Sequence, residues 1–282
     1  MSTFIKKYKV LFLCSIVFVL WIVLSLGFVL CSYTDFCVLQ KIKNADTLND
    51  YIPKKSCISS KMEGIKNIYT SNDLKVLVVP PKNHKPNKKY SALIVFPPAG
   101  KTVRKSEIFY KGLTVEANKL GYIIAYTDYL PLDERNLIKL ADVKDTLVDT
   151  YCINTKNINL LGHSDGATNA AIISYREMGL KIKNLLISAN GINKDALNRE
   201  ICPKENFSLL VMHSIKDQFF LNFGRDNIEW IASCSKCKNN LIELDNGCMK
   251  VQNCERKIVY CEGNKNHNVW PKKNNILMNF LN

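Results

Sequence analysis

Midway along the chain an apolar run, Ile158-Asn159-Leu160-Leu161, leads into Gly162-His163-Ser164-Asp165-Gly166 and on into Ala167-Thr168-Asn169-Ala170-Ala171-Ile172-Ile173-Ser174-Tyr175. The first run has the composition of a buried parallel strand; the last is small near the turn and then apolar at helical spacing. Between them stands G-x-S-x-G, the pattern that sets a serine on a sharp strand-to-helix turn. Both glycines have a steric task. A Cβ at either would collide where the helix packs back on the strand, and the serine itself is held at strained φ/ψ. With a strand before it and a helix after it, the pentapeptide reads as a functional elbow and not as an accidental turn.

The rest of the chain supplies the sheet that such an elbow needs. Leu74–Val79, Ala92–Phe96, Tyr122–Tyr126, Leu185–Ala189, Leu209–His213 and Ile258–Tyr260 read as strands. Residues 106–120 read as one helix stopped by Gly121, and 134–152 as another. Strands alternating with helices at this rhythm imply an α/β fold, a mostly parallel central sheet with helices on both faces.

The chain has 282 residues, enough for one such domain after an N-terminal segment is set aside. From Val10 to Cys31 there is no charged residue, and about 20 apolar residues span a bilayer as a helix. Lys6, Lys7 and Lys9 precede it, so the N-terminus stays in the cytoplasm and the remainder is exported. Residues 1–9 are therefore read as a cytoplasmic N-terminus, 10–32 as an uncleaved transmembrane signal anchor, 33–70 as a stalk and 71–282 as the folded domain. A secreted form released by signal cleavage is the alternative, although Val29-Leu30-Cys31-Ser32 is a poor cleavage site. Eleven cysteines suit export; with Cys14, inside the apolar segment, set aside, ten remain, an even set that reads as disulfides. A zinc knuckle on Cys234 and Cys237 lacks the second C-x-x-C that would support it. The net charge of +14 comes from lysines spread along the whole chain, which favours weak attraction to anionic membranes over nucleic-acid binding. No cofactor is expected.

A serine hydroxyl becomes a nucleophile when a neighbouring base takes its proton, usually a histidine oriented by a carboxylate. The chain has four histidines. His84 lies upstream of the elbow, His163 is the elbow's own variable position, and His213 ends a strand ahead of the candidate acid. His267, in the loop after the last strand, is left as the base. Asp217 follows the strand Leu209–His213 at its C-terminal end, where parallel sheets gather their functional groups. Asp226 and Asp245 follow no apolar strand directly. An oxyanion would be met by the backbone N–H of Asp165 and by Ala99 or Gly100, since Pro97 and Pro98 cannot donate. Asp165 then needs to turn outward or find a cationic partner. Tyr129 and Trp270 are candidates for an apolar acyl pocket, with Trp230 at least as well explained as ordinary core.

These residues together are similar to the polyhydroxybutyrate depolymerase and feruloyl esterase group of α/β-hydrolases. The likeness rests on Gly162 to Gly166, on His213-x-x-x-Asp217 and on His267-Asn268-Val269-Trp270-Pro271, and spans roughly residues 70–275. It implies an α/β-hydrolase fold, ester hydrolysis through Ser164, Asp217 and His267, and a disulfide near the histidine among Cys248, Cys254 and Cys261. Pro97-Pro98 replaces that group's His-Gly, and Asn266 replaces the glycine that commonly precedes the late histidine. The function expected is a membrane-tethered serine esterase acting on a small or polymeric ester. The alternative is a hydrolase-like surface domain that binds without turnover.

Overall fold

The computed structural model describes residues 64–237 and 240–282. The anchor expected at 10–32 lies outside the described residues; among them, no helix is long and apolar enough to cross a membrane.

The strands are β1 (Lys66–Tyr69), β2 (Lys75–Val79), β3 (Tyr90–Phe96), β4 (Tyr122–Thr127), β5 (Ile153–His163), β6 (Asn184–Ser188), β7 (Ser208–Ser214), β8 (Leu241–Glu243), β9 (Met249–Val251) and β10 (Ile258–Gly263). They form one sheet in the order β1-β2-β4-β3-β5-β6-β7-β10-β9-β8. From β4 to β10 every neighbouring pair runs parallel, while β1, β2 and the β8–β9 hairpin add antiparallel edges. The parallel strands are buried on both faces, which is why β3 and β4 read as unbroken apolar runs. β1 pairs with β2 inside the segment read as stalk, so the sheet begins at Lys66. Its strand is polar and mostly exposed, with only Ile68 half-buried, and an edge strand of that kind shows no alternation to read.

The helices are α1 (Val103–Phe109), α2 (Leu113–Lys119), α3 (Glu134–Ala141), α4 (Val143–Thr150), α5 (Asp165–Tyr175), α6 (Lys194–Leu197), α7 (Phe223–Cys234) and α8 (Asn274–Leu281). Each of the two long helices expected from spacing is a pair of short ones. Gly112, at φ +84°, separates α1 from α2, and Asp142 separates α3 from α4. One core joins α1, α2 and α8 to Leu93, Val95, Ile124, Leu161, Leu186 and Leu210. Strand residues alternate in direction, so Ile94, Leu160, Leu185 and Val211 face the opposite side. There α5 packs on β5, β6 and β3, and α7 on β7 and β10.

Disulfides join Cys202 to Cys234, Cys237 to Cys254 and Cys248 to Cys261, and Cys152 is disulfide-bonded as well. Cys234 and Cys237 of the zinc alternative, and Cys248 and Cys254 that would complete it, are thus all oxidised. Cys237–Cys254 closes the segments that flank the β8–β9 hairpin, and Cys248–Cys261 ties the hairpin to β10, the strand that leads to His267.

Candidate active site

β5 ends at His163 and α5 begins at Asp165, leaving Ser164 alone at the turn with φ 54° and ψ −125°. Backbone contact imposes this shape. A Cβ on Gly162 would lie 2.3 Å from the carbonyl of Gly166, and one on Gly166 would lie 2.3 Å from the Phe96 carbonyl oxygen. The elbow therefore presses directly on the end of β3. The Ser164 amide donates to the Ser188 carbonyl at 2.9 Å, which pins the turn to β6.

The structure brings Ser164, His267 and Asp217 together. His267 Nδ1 lies 2.8 Å from Asp217 Oδ2, and Ser164 Oγ lies 2.7 Å from His267 Nε2. A carboxylate only accepts, so Nδ1–H donates to Asp217, and Nε2 is left to accept from the serine hydroxyl. All three side chains are buried. Asp217 closes the turn after β7, where its Oδ1 accepts the amides of Phe219 and Phe220, both at 3.0 Å. Burial pushes its carboxyl up, but the bonds from His267 and the two amides outweigh this and hold it below the ordinary carboxylate range. Asp226 instead accepts the Lys194 amide, and Asp245 is exposed in the β8–β9 turn.

Two further histidines brace these loops, a role the sequence assigned to neither. His163 is buried; its Nε2–H donates to the main-chain carbonyl of His267 at 2.7 Å, while Nδ1 lies 3.1 Å from Ser188 Oγ. Burial, partly offset by that carbonyl, lowers its pKa to about 4, so the ring is neutral near pH 7. His213 Nε2–H donates to the Phe220 carbonyl at 2.7 Å, in the loop whose amides hold Asp217, and burial lowers its pKa too. In the linear sequence His163 is the elbow's variable position and His213 opens H-x-x-x-D, and neither pattern tells which carbonyl the ring will meet.

Lys101 donates its amide to Pro98 at 3.3 Å, closing a turn in which Gly100 has φ +69°. Among the described residues, no protein acceptor takes the amides of Ala99, Gly100 or Asp165. These three donors lie on the two segments that meet at Gly166. The partner of Asp165 is not a cation. Its Oδ2 accepts from the Tyr129 hydroxyl at 2.9 Å, and burial together with this carboxylate pushes the phenol up to about 12.

Trp270, expected on a pocket wall, is instead core. It is 3% exposed, its ring meets Tyr110 edge-on at 4.7 Å, and its indole N–H donates to Asn274. Trp230 lies on α7 against Tyr175. Other rings stand beside the base. The rings of Phe219 and Phe220 stand edge-on to His267 at 5.1 and 5.0 Å. Ile215, Phe219, Leu221 and Val269, from the two loops that carry Asp217 and His267, are all exposed.

No protein-family model and no curated protein matches the chain. Solved structures do. An acetyl xylan esterase from Aspergillus awamori superposes with a TM-score of 0.61 at 8% identity, over 78% of this chain and 99% of its own. An S-formylglutathione hydrolase from Staphylococcus aureus gives 0.55 at 11%, over 79% and 98%. A dipeptidyl peptidase 4 from Porphyromonas gingivalis gives 0.52 at 13%, over 79% of this chain and 35% of its own. Likeness at such identities speaks for the fold alone. The chain has the α/β-hydrolase fold, and that fold carries esterases and peptidases alike.

Proposed function

We propose that this chain is a serine carboxylesterase, with Ser164 as nucleophile, His267 as general base and Asp217 as the carboxylate that orients it. The single observation that carries the reading is the unbroken chain of hydrogen bonds, 2.7 Å from Ser164 to His267 and 2.8 Å from His267 to Asp217. His267 takes the hydroxyl proton as Ser164 Oγ attacks the ester carbonyl. The oxyanion that forms is met by the amide of Asp165 and by that of Ala99 or Gly100, which have no acceptor among the described residues. The tetrahedral adduct collapses, and the alcohol leaves with the proton from His267. Water, activated by the same imidazole, then hydrolyses the acyl-enzyme.

The substrate class proposed is a hydroxyalkanoate, feruloyl or acetyl ester. The exposed apolar residues on the two loops that carry Asp217 and His267 favour an apolar acyl or alcohol portion. Tyr129 belongs to the site through its bond to Asp165 and not as an apolar wall. The apolar segment 10–32 would anchor the enzyme with residues 1–9 in the cytoplasm and the domain exported, where an oxidising compartment preserves disulfides.

The reading without turnover draws on Pro97-Pro98, which removes two backbone donors from the oxyanion loop. Against it stands Ser164 at φ 54°, a conformation costing about 1–3 kcal/mol that a binding surface has no use for. The test is kcat/KM on p-nitrophenyl acetate and butyrate. Ser164→Ala is expected to lower it by about 10⁴-fold or more. Equal rates for the two proteins would end the proposal.

A further inference from the structure

The variable position of the elbow holds a histidine that the chemistry just described does not use. His267 sits in the loop between β10 and α8, where Val269 donates to the Asn266 carbonyl at 3.1 Å but no helix or strand fixes the chain. Its imidazole is held at both nitrogens, yet a ring is only as well placed as the main chain that carries it. Among the described residues, the one hydrogen bond to the His267 carbonyl is the 2.7 Å bond from His163 Nε2.

That bond can run in one direction only. A carbonyl accepts, so Nε2 carries the proton, and Nδ1 accepts from the Ser188 hydroxyl. Ser188 thus acts twice: its carbonyl receives the Ser164 amide, and its hydroxyl donates to Nδ1 of His163. The rings of Phe109 and Trp270 lie 5.0 and 6.1 Å from that of His163 and limit its tilt. The loop of the base is therefore referenced to the residue next to the nucleophile, across 104 residues of sequence.

We propose that His163 is a positioning residue: by donating Nε2–H to the main-chain carbonyl of His267, it holds the imidazole of His267 at bonding distance from Ser164. This inference rests on the esterase reading, so its test needs a readout that reading does not supply.

Glutamine and asparagine provide it. The amide nitrogen of glutamine extends about as far as Nε2 of histidine, and that of asparagine only as far as Nδ1. His163→Gln should therefore keep a donor on the His267 carbonyl, whereas His163→Asn and His163→Phe should lose it. With p-nitrophenyl butyrate, kcat is expected to fall roughly 10- to 100-fold in the Asn and Phe variants with KM little changed, the scale on which a misplacement of about 1 Å acts. Gln is expected within a few-fold of wild type, although Asn and Gln disturb the melting temperature to similar extents. A second measurement needs no ester. The far-downfield proton resonance of His267 Nδ1–H against Asp217 should persist in the Gln variant and broaden or vanish in the Asn variant. Equal kcat and equal resonances in the Gln and Asn variants would overturn the proposal. So would activity that follows melting temperature across the three variants. A wild type that hydrolyses nothing would instead count against the esterase reading and leave the resonance test of His163 in place.

Discussion

Ser164 and His267 stand 2.7 Å apart but are held by different means. The serine is fixed by backbone against backbone: two glycines without room for a Cβ, a strand ending, a helix starting and an amide bonded to β6. The histidine is fixed by side chains that arrive from elsewhere in the chain. Asp217 reaches it from the β7 loop, His163 from the elbow, and the rings of Phe219 and Phe220 from beside the acid. The first kind of placement is local and steric, and so it is written in five consecutive residues. The second is distributed, and each of its members looks unremarkable where it stands in the sequence.

Breaking the steric side should cost most. A Cβ at residue 166 would meet main-chain oxygens at 2.3 and 2.5 Å, atoms that cannot swing aside as a side-chain tip could. Gly166→Ala is expected to destabilise by about 4 kcal/mol or more, in the tail of single-substitution effects. Urea denaturation with circular dichroism, or failure to recover soluble folded protein, measures it. A midpoint close to wild type would mean that the elbow is looser than described.

Acid should strain the distributed side next. Burial lowers His163 from 6.5 to about 4, and His213 moves the same way. Between these values the unfolded chain binds protons that the folded chain refuses. Stability is therefore full above about pH 6.5 and falls as the pH drops toward 4, His163 alone contributing roughly 3 kcal/mol. Asp217 has the opposite kind of shift, downward for an acid, so its contribution is lost only below the ordinary carboxylate range. Urea midpoints at pH 7, 5.5 and 4.5 should decline in order, with a shallower slope in His163→Gln. A flat series would contradict the buried, neutral state of these histidines.

The smallest effect is expected at the junction of the two regions. Tyr129→Phe removes the hydroxyl from Asp165 and leaves that partly exposed carboxylate to water. A loss of about 1 kcal/mol in stability and a few-fold fall in kcat/KM should follow. A fall approaching that of Ser164→Ala would assign Tyr129 a direct part in the chemistry.

This division also explains what could be read before the fold was in hand. β3 to β7 and β10 announce themselves as apolar runs, because a parallel strand buried on both faces has few polar positions to spare, and the antiparallel β2 does so because it too is buried. β1 and the β8–β9 hairpin are edge elements with exposed side chains and carry no such mark. In α7 the buried Asn227 interrupts the apolar stripe, whereas α8 does place Ile276, Leu277, Phe280 and Leu281 at helical spacing. In the site, Ser164 was legible from its glycines, and Asp217 and His267 from chain order and strand ends. Trp270 misled because a tryptophan beside a functional loop looks the same whether it lines a pocket or fills the core beneath it. Phe219 and Phe220, whose rings stand against His267, were invisible because only tertiary contact tells an aromatic residue at a site from one anywhere else.

The most direct measurement is reaction of the full chain with a biotinylated fluorophosphonate, followed by peptide mass mapping. A serine activated by its neighbours should take the label at Ser164, and His267→Ala should abolish it while leaving the fold intact. No adduct at residue 164, or one that forms as fast without the imidazole, would contradict the account.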